Sequence, residues 1–313
     1  MAKRKLGLVG VGKIAIDQHL PSIAETGLFE LVAVTSQRGI EVPGACTFKT
    51  QAEMLAAMPE IEAVANCTPP GVRHGATLEA LNGGKHVLIE KPPTASVAEL
   101  ADMVGAAQSA RRTLFATWHS QFNSGVDKAA EILRARPPKS AQIIWKEDVR
   151  RWHPGQEWIW QAGGFGVFDP GINALSILVK IMPAAVFVQS ADLTFPQNRD
   201  TPIAANLILA GAQGSGIGVI SAEFDWRQEG EQTWTIEVAL HDGGALTLTH
   251  GGTKLLIDGM PDIALPDDEY RRIYRRFDQL IANGQSDIDA RPLHIVADAM
   301  LLGKRRVTDA FNW

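Results

Sequence analysis

The sequence contains very little cysteine. Cys46 and Cys67 are the only two in 313 residues, and their spacing matches neither a zinc site nor a redox pair. We therefore expect no metal centre and two reduced thiols, as is usual for a cytoplasmic protein.

The sequence also lacks a basic excess and a long apolar run. Acidic residues outnumber basic ones by 35 to 30, and the formal net charge is −5, so nucleic acid is not an expected partner. No apolar stretch approaches the roughly 18 residues of a membrane span. The apolar run at residues 6–10 is too short for a signal peptide. We expect a cytoplasmic protein with no membrane partner.

The first 120 residues alternate short apolar runs with helical patterns. This alternation is typical of an α/β fold with a doubly wound parallel sheet, and it predicts a dinucleotide-binding Rossmann domain over residues 1–120. The predicted strands are 6–11, 29–35, 63–66, 87–89 and 113–118, and the predicted helices are 13–24, 51–58, 72–82 and 97–109.

After His119 long alternating segments dominate, as at residues 234–240, where the apolar side chains share one face. This pattern predicts a C-terminal α+β domain over residues 121–313 with a largely antiparallel open sheet, for substrate binding and oligomerisation. An open sheet face makes a homodimer the expected assembly. The predicted strands are 141–149, 186–195, 204–209, 217–226, 234–240 and 245–249, with helices from 168 onward and at 267–282 and 292–305.

A glycine-rich turn follows the first predicted strand, with Gly10, Gly12 and Ala15 in G-x-G-x-x-A spacing. Gly10 permits a tight turn, and Gly12 lets the backbone approach a pyrophosphate. Lys13 and Ile14 begin the next helix, whose free N–H groups face the phosphates. The motif predicts a dinucleotide-binding turn.

The second predicted strand ends without a carboxylate. An NAD-preferring site usually carries Asp or Glu there to hold the ribose 2′-hydroxyl, whereas this chain has Ser36, Gln37 and Arg38. Ser36 and Arg38 could receive a 2′-phosphate, which predicts NADP as the preferred cofactor, with NAD also accepted. The alternative is an ordinary polar turn with a solvated arginine.

A buried strand ends in Glu90 and Lys91, and two prolines then stop the sheet. Ligands bind just outside the carboxyl ends of such strands, where Lys91 could donate hydrogen bonds to a substrate oxygen. Thr68 and Pro69 close the preceding strand, and we place them with Glu90 and Lys91 among the cofactor-binding candidates. The alternative is a solvated Glu90–Lys91 pair.

Asp169 and Asn173 are four residues apart in a predicted helix. This spacing lets both side chains point at the same spot, and a carboxylate beside an amide suits a carbonyl–alcohol interconversion. The alternative is that Asp169 is only the helix N-cap, with Pro170 at the first helical position. Glycines at 163, 164 and 166 would let this segment approach a ligand closely.

The segment 145–160 is rich in tryptophan and charge. Flat aromatic faces beside hydrogen-bonding groups suit a pyranose, whose C–H face is apolar and whose rim is polar. The alternative is a tryptophan-rich core or interface. His119 ends the last strand of the first domain, where it either faces the substrate or is structural.

These motifs resemble those of the Gfo/Idh/MocA family of NAD(P)-dependent sugar dehydrogenases. The likeness lies in residues 10–15, 90–92 and 163–173 and spans nearly the whole chain. Residues 118–120, 145–156, 222–227 and 291–293 are similar to bacterial aldose 1-dehydrogenases that oxidise L-arabinose and D-galactose to lactones.

The resemblance implies roles for particular residues. Lys91 would be the active-site lysine and Asp169 the acid-base residue. Asn173 stands where many members have a catalytic histidine, which leaves proton transfer to Asp169 or Lys91. NADP-using relatives have adjacent Ser and Arg, whereas one residue separates them here. The positions that match the sugar pocket are His119, Trp152, His153, Asn173 and Trp234.

We therefore expect NAD(P)-dependent oxidation of an aldopyranose, L-arabinose or D-galactose, at C1 to the lactone. Asp169 would take the proton of the anomeric hydroxyl, and Lys91 would donate to the same oxygen. One alternative is a related enzyme that acts on another polyol or an imine. The other is a non-catalytic NAD(P)-sensing regulatory protein.

Overall fold

The computed structural model describes residues 3–262, 266 and 268–313. A π-helical turn (Ala15–His19) precedes the first α-helix, and 3₁₀ turns occur at His119–Phe122, Glu157–Trp160 and His250–Gly252. The strands in chain order are β1 (Arg4–Val9), β2 (Phe29–Thr35), β3 (Cys46–Phe48), β4 (Ala63–Asn66), β5 (His86–Glu90), β6 (Leu114–Thr117), β7 (Pro138–Lys146), β8 (Val186–Pro196), β9 (Ala204–Gly211), β10 (Val219–Asp225), β11 (Thr233–Leu240), β12 (Ala245–Thr249), β13 (Lys254–Ile257), β14 (Met260–Pro261) and β15 (Lys304–Thr308). The helices are α1 (Leu20–Thr26), α2 (Gln51–Ala57), α3 (Pro70–Asn82), α4 (Val97–Ala110), α5 (Val126–Ala135), α6 (Val149–Trp152), α7 (Phe168–Ile181), α8 (Glu269–Asn283) and α9 (Arg291–Leu302).

The described chain forms two compact units. The first consists of the residues up to His119 together with Glu269–Ala290, and the second consists of the remainder. The predicted assignment of residues 1–120 to nucleotide binding and 121–313 to substrate binding stays a prediction. No helix of the described residues is long and apolar enough to cross a bilayer.

The sheet of the first unit has the strand order β3-β2-β1-β4-β5-β6, and every pairing is parallel. Its strands are buried on both faces where helices cover both sides, as in the central strand β4 and the edge strand β6, where every residue is buried. The predicted doubly wound Rossmann sheet is confirmed. The order reverses beside β1, which is where such sheets bind nucleotides.

Helix α8 completes the first unit although it lies far along the chain. It packs against α1, and the ring of Phe277 stacks on Phe29 at 5.5 Å and on Phe115 at 6.3 Å between centroids. The helix was predicted at 267–282 and is observed at Glu269–Asn283. Asp267 lies outside the described residues.

The sheet of the second unit has the order β14-β13-β12-β11-β7-β10-β9-β8-β15. Two of its pairings, β7–β10 and β8–β15, are parallel and the others are antiparallel. The predicted largely antiparallel sheet is confirmed. Helix α7 is almost wholly buried and packs with α5, α9 and β7 to form the core of this unit.

Two predicted elements of the second unit have wrong boundaries. The helix predicted at 292–305 ends at Leu302, and β15 follows as an edge strand parallel to β8. Gly303 separates them, and a Cβ there would lie 2.5 Å from the Ala299 carbonyl oxygen. The exposed, charged β15 lacks the alternation that marks a half-buried strand, and charge is usual at a sheet edge. The strand predicted at 141–149 ends at Lys146.

Candidate active site

The glycine turn lies where β1 meets the ends of β2 and β4. Gly10 has φ of 93°, in the left-handed region, and a Cβ there would lie 3.2 Å from the carbonyl carbon of Cys67. The N–H groups of Gly10 and Val11 both donate to the Thr35 carbonyl oxygen at 3.2 Å. A Cβ on Gly12 would meet nothing within 4 Å. Gly10 is therefore required by the backbone, and Gly12 leaves room for a ligand.

The helical residues after this turn differ in exposure. Lys13 is exposed and its ammonium pairs with Asp17, while Ile14 is half-buried. Ala15 is fully buried, which agrees with the close helix–sheet contact that the third position of the motif needs. The turn fits the pyrophosphate of a dinucleotide.

Two cations flank the turn after β2. Arg38 is exposed, and its Nη2 lies 3.5 Å from the Val11 carbonyl oxygen, beside the glycine turn. Lys49 donates from Nζ to the Gln37 carbonyl oxygen at 3.2 Å. Sequence reasoning missed Lys49 because it follows β3, a short strand that was not predicted. The Ser36 hydroxyl is buried and accepts the Ile40 N–H at 2.9 Å.

Lys91 is half-buried at the end of β5 and precedes Pro92 through a cis peptide bond. The buried guanidinium of Arg73 links the end of β5 to the end of β4 by hydrogen bonds. Its Nε donates to the Thr68 carbonyl at 2.9 Å, and its Nη1 donates to the Glu90 carbonyl at 2.6 Å and to that of Pro92. Sequence reasoning missed Arg73, since a cation in a helix gives no sign of burial.

Thr68 and Pro69 lie at the end of β4, between that strand and α3. Thr68 donates from its N–H and its hydroxyl to Oδ1 of Asn66, at 3.2 and 2.6 Å. Pro69 is exposed. Their assignment to cofactor binding stays a prediction.

Glu90 is 3% exposed, so the alternative of a solvated Glu90–Lys91 pair is wrong for the glutamate. Its Oε1 accepts the Tyr270 hydroxyl at 2.8 Å and faces His19 Nε2 at 2.9 Å. Its Oε2 accepts the Lys91 N–H at 3.0 Å. His19 Nδ1 lies 2.7 Å from the Tyr274 hydroxyl. Sequence reasoning missed His19 and both tyrosines, which are distant along the chain.

Burial and neighbouring charges set the pKa values in this cluster. Burial opposes a charge on His19, but Cys67 and Tyr274 favour it, and the pKa of His19 is raised well above 6.5. Burial also opposes a charge on Glu90, but the hydrogen bond and charge of His19 lower the pKa of Glu90 to about 2. Burial raises the pKa of Tyr274 to about 12 and that of Tyr270 well above 10. His19 and Glu90 therefore form a buried ion pair at neutral pH.

His119 begins the 3₁₀ turn after β6 and is half-buried. Its Nδ1 lies 2.6 Å from Oε1 of Glu269, and its ring stacks on Tyr270 at 5.9 Å. The two partners hold the imidazole in a defined orientation, and its role in sugar binding stays a prediction.

In the second unit, Asp169 lies in the first turn of α7 and is 4% exposed. The helix begins at Phe168 and its N-cap is Val167, so the alternative that Asp169 is the cap is wrong. Oδ2 of Asp169 lies 3.4 Å from Nε2 of His153. The structure thus brings two of the predicted site residues together. Asn173 follows one turn later and is half-buried.

The glycines before α7 serve protein packing. A Cβ on Gly164 would lie 2.1 Å from the Trp158 carbonyl oxygen, and one on Gly166 would lie 2.4 Å from that of Pro202. The expectation that these glycines make room for a ligand is therefore wrong for both positions, because their free side is filled by backbone.

Glu147 holds two indoles at the end of β7. Its Oε1 accepts the Trp226 Nε1–H at 3.2 Å, and its Oε2 accepts that of Trp234 at 3.0 Å. Trp234 packs on Trp152 at 5.5 Å, and Trp226 packs on His153 at 5.4 Å between ring centroids. Sequence reasoning missed the roles of Glu147 and Trp226.

The tryptophan-rich segment is part core and part surface. Trp145 and Trp160 are buried, as the core alternative predicts. Trp152 is 36% exposed and Trp234 is half-buried, so both keep part of their surface accessible. The described residues contain no group of His, Cys, Asp and Glu that could hold a metal ion.

Comparison with known proteins agrees with this fold and these motifs. Residues 4–117 match the Gfo/Idh/MocA model, described as an oxidoreductase family with an NAD-binding Rossmann fold. A galactose 1-dehydrogenase of Pseudomonas fluorescens is 42% identical over 307 residues, covering 98% of each chain. The crystal structure of a D-galactose-1-dehydrogenase protein from Rhizobium etli is 49% identical with a TM-score of 0.94, covering 100% of this chain and 99% of that one.

A more distant structure shares the fold. It is a 3-ketoreductase from Actinomadura kijaniata in complex with NADP and TDP-benzene, 19% identical with a TM-score of 0.83, covering 98% of this chain and 100% of that one. The identity to the Pseudomonas and Rhizobium proteins extends over essentially the whole chain. The chain therefore belongs to the Gfo/Idh/MocA family of oxidoreductases.

Proposed function

We propose that this oxidoreductase is an aldose 1-dehydrogenase, which oxidises D-galactose or L-arabinose at C1 to the lactone. The observation that carries the proposal is the buried Asp169 carboxylate, 3.4 Å from the half-buried His153 imidazole, in a unit that also carries the partly exposed indoles of Trp152 and Trp234. Two relatives at 42% and 49% identity are named galactose dehydrogenases, which supports the same substrate class.

Asp169 is the proposed base. Hydride can leave C1 readily only as the anomeric oxygen gains negative charge, so a base must be within hydrogen-bond reach of that hydroxyl. The Asp169 carboxylate accepts the proton, and His153, 3.4 Å away, orients it. Asn173, one helical turn on, supplies an amide that can hold a neighbouring sugar hydroxyl.

Lys91 is the proposed donor to the reacting oxygen. An ammonium aimed at the place where charge develops stabilises the transition state more than the ground state. Its backbone is fixed by Glu90, and Arg73 fixes the carbonyls on either side. Such support matters because small displacements of a catalytic group are costly.

Trp152 and Trp234 are the proposed platform for the apolar face of the sugar, with His119 and His153 as hydrogen-bonding groups. Glu147 accepts a hydrogen bond from the indole of Trp234, so the orientation of one of the two indoles is fixed before a sugar binds. Preorganised aromatic groups lose little conformational entropy on binding.

NADP is the proposed preferred cofactor, with NAD also accepted. The bound nicotinamide supplies the hydride acceptor. Gly10, Gly12 and the following N–H groups would hold the pyrophosphate. The turn at residues 36–40 carries no carboxylate, and Arg38 and Lys49 flank it as candidate partners of a 2′-phosphate.

Initial rates with D-galactose, L-arabinose and D-glucose, each with NADP and with NAD, test the function. Galactose and arabinose share the configuration of their ring carbons, so both should be oxidised. Glucose is epimeric at C4 and should react far more slowly, since a misplaced hydroxyl leaves a buried polar partner unpaired. Equal rates for glucose and galactose would overturn the sugar assignment, and no turnover of any aldose would overturn the function.

A further inference from the structure

The helix that follows the glycine turn contains a π-helical turn ending at His19, in which the Leu20 N–H donates to the Ala15 carbonyl. A π turn inserts an extra residue and is frequent at functional sites. The side chain of His19 is 0% exposed. An imidazole so deeply buried needs a partner for each ring nitrogen.

Both ring nitrogens of His19 have partners. Nε2 lies 2.9 Å from Oε1 of Glu90 and Nδ1 lies 2.7 Å from the Tyr274 hydroxyl. The rings of Tyr270 and Tyr274 pack edge-on against the imidazole, at 5.0 and 5.8 Å. Ionised Glu90 can only accept, so Nε2 carries the proton of that bond. These two hydrogen bonds and two ring contacts fix the orientation of the His19 imidazole.

The Glu90 carboxylate links the His19 imidazole to the backbone of Lys91. Its Oε2 accepts the Lys91 N–H at 3.0 Å while Oε1 is held by His19 and by the Tyr270 hydroxyl. Two hydrogen bonds therefore connect the helix of the glycine turn to the backbone of Lys91. All of these residues belong to the first unit.

We propose that His19 is a positioning residue for Lys91, acting through the Glu90 carboxylate. Gly12 and His19 belong to the same turn and helix, so the helix that follows the glycine turn also carries the imidazole that holds Glu90. The inference rests on the proposed role of Lys91 in the reaction. It assigns His19 no contact with the sugar.

His19→Leu removes both hydrogen bonds and keeps a buried apolar side chain of similar size. Misplacing a catalytic group by about 1 Å can cost about a hundredfold, so we expect kcat to fall roughly ten- to a hundredfold with a smaller change in the KM for NADP. His19→Gln keeps an N–H donor within reach of Glu90 and should recover most of the rate. Tyr274→Phe, the matched control, leaves the His19–Glu90 bond in place and should lose less than His19→Leu.

A double-mutant cycle with Lys91→Ala separates positioning from general damage. If His19 acts through Lys91, His19→Leu should lower the residual rate of Lys91→Ala hardly at all, because the group it positions is already gone. A loss of the same factor in both backgrounds would overturn the inference.

Amide hydrogen exchange in the cofactor-free protein gives a second, rate-independent measurement. The Lys91 N–H should exchange faster in His19→Leu than in the wild type, and His19→Gln should restore its protection. Unchanged exchange in His19→Leu would overturn the inference. A fully active Lys91→Ala enzyme would instead overturn the proposed role of Lys91. An inactive Lys91→Ala beside a fully active His19→Leu would overturn only the positioning role.

Discussion

The carboxylate of Asp169 is buried to 4% exposure at the beginning of a helix. A buried charge is expensive unless partners offset it. The carboxylate lies at the positive end of the helix dipole, and its Oδ2 is 3.4 Å from Nε2 of His153. Both are partners that offset the cost of burying the carboxylate of the proposed base.

Asp169→Asn keeps the shape of the side chain but cannot accept a proton at neutral pH. General-base catalysis contributes about 10²–10⁴-fold, so kcat with galactose should fall by that factor. Thermal unfolding should change little, since Asp169 is not the helix cap. Steady-state kinetics and a melting curve test this.

Asp148→Asn is the matched control for Asp169→Asn. Asp148 is the actual N-cap of α6, where its Oδ1 accepts the Arg150 N–H at 2.9 Å. Asn caps helices about as well as Asp, so this variant should keep both activity and stability. Full activity of Asp169→Asn would leave Lys91 as the candidate base.

Arg38→Ala should raise the KM for NADP and leave that for NAD nearly unchanged. A hydrogen bond to a charged group contributes about 1.5–3 kcal/mol, which corresponds to roughly a ten- to hundredfold change in affinity. Lys49→Ala should act in the same direction. Equal losses for the two cofactors in the kinetic comparison would contradict the assignment of both cations to a 2′-phosphate.

At the scale of elements, Glu147 joins β7 to two tryptophans that follow β10 and begin β11. Glu147→Gln turns one acceptor oxygen into an amide N–H₂, so one indole N–H loses its partner. A buried unsatisfied donor costs about 1–3 kcal/mol, and urea unfolding should show a loss of that size. The KM for the sugar should rise, while that for NADP should not.

Glu223→Gln provides the control for Glu147→Gln. Glu223 pairs with Lys146 at 2.6 Å on a partly exposed face of the same sheet. Exposed pairs contribute about 0–1 kcal/mol, so stability and kinetics should barely change. An unchanged sugar KM in Glu147→Gln would argue against a role of the indoles in substrate binding.

The His19–Glu90 pair links the helix after the glycine turn to β5, and hydroxyls of Tyr274 and Tyr270 in α8 contact its two members. The pair makes the free energy of unfolding depend on pH. The pKa of Glu90 is lowered from 4.5 to about 2, so its contribution is complete above pH 4.5 and is lost as the pH falls towards 2. The pKa of His19 is raised well above 6.5, so its contribution is complete below pH 6.5 and is lost as the pH rises through the raised value. The pair should stabilise the fold most between these limits.

Urea unfolding at a series of pH values checks this dependence. As the pH falls from about 5 to 2, protonation of Glu90 alone should lower the unfolding free energy of the wild type by on the order of 3 kcal/mol. Glu90→Gln cannot titrate and should give a flatter acid limb. Parallel pH curves for the two proteins would contradict the ionised pair.

Elements with strong local patterns could be predicted from the sequence, and those defined by distant partners could not. The glycine turn, β4 and β5 are set by nearby apolar runs and turn residues. Strand β15 pairs with β8, more than a hundred residues earlier, and its own residues are charged and exposed. Arg73 and Glu147 look like ordinary surface charges because burial by distant elements is invisible in a local window.

At the scale of the whole molecule, the sheet of the second unit exposes a row of apolar side chains. The strand register aligns Phe187 on β8 with Ala210 on β9 and Val219 on β10, and Phe187 and Val219 are 53% and 56% exposed. Contiguous exposed apolar groups mark association surfaces, so a homodimer remains our prediction. Sedimentation velocity should show a dimer at micromolar concentration.

Phe187→Asp should shift that dimer towards monomer, because a charge would be buried without a partner. Met260→Asp is the control, since Met260 is 72% exposed on β14, at the opposite edge of the sheet. A wild type that sediments as a monomer would contradict the prediction.

The first unit is made of two stretches of chain that are far apart in the order of synthesis. At about 5–20 residues per second, roughly ten to thirty seconds pass on the ribosome between His119 and Ala290. Until then Phe29 lacks its cover of α8 and Glu90 lacks Tyr270. While the middle of the chain is being synthesised, the nascent Rossmann sheet therefore exposes an apolar face that chaperones can bind. The part that is translated first is not complete as a folded unit until most of the protein exists.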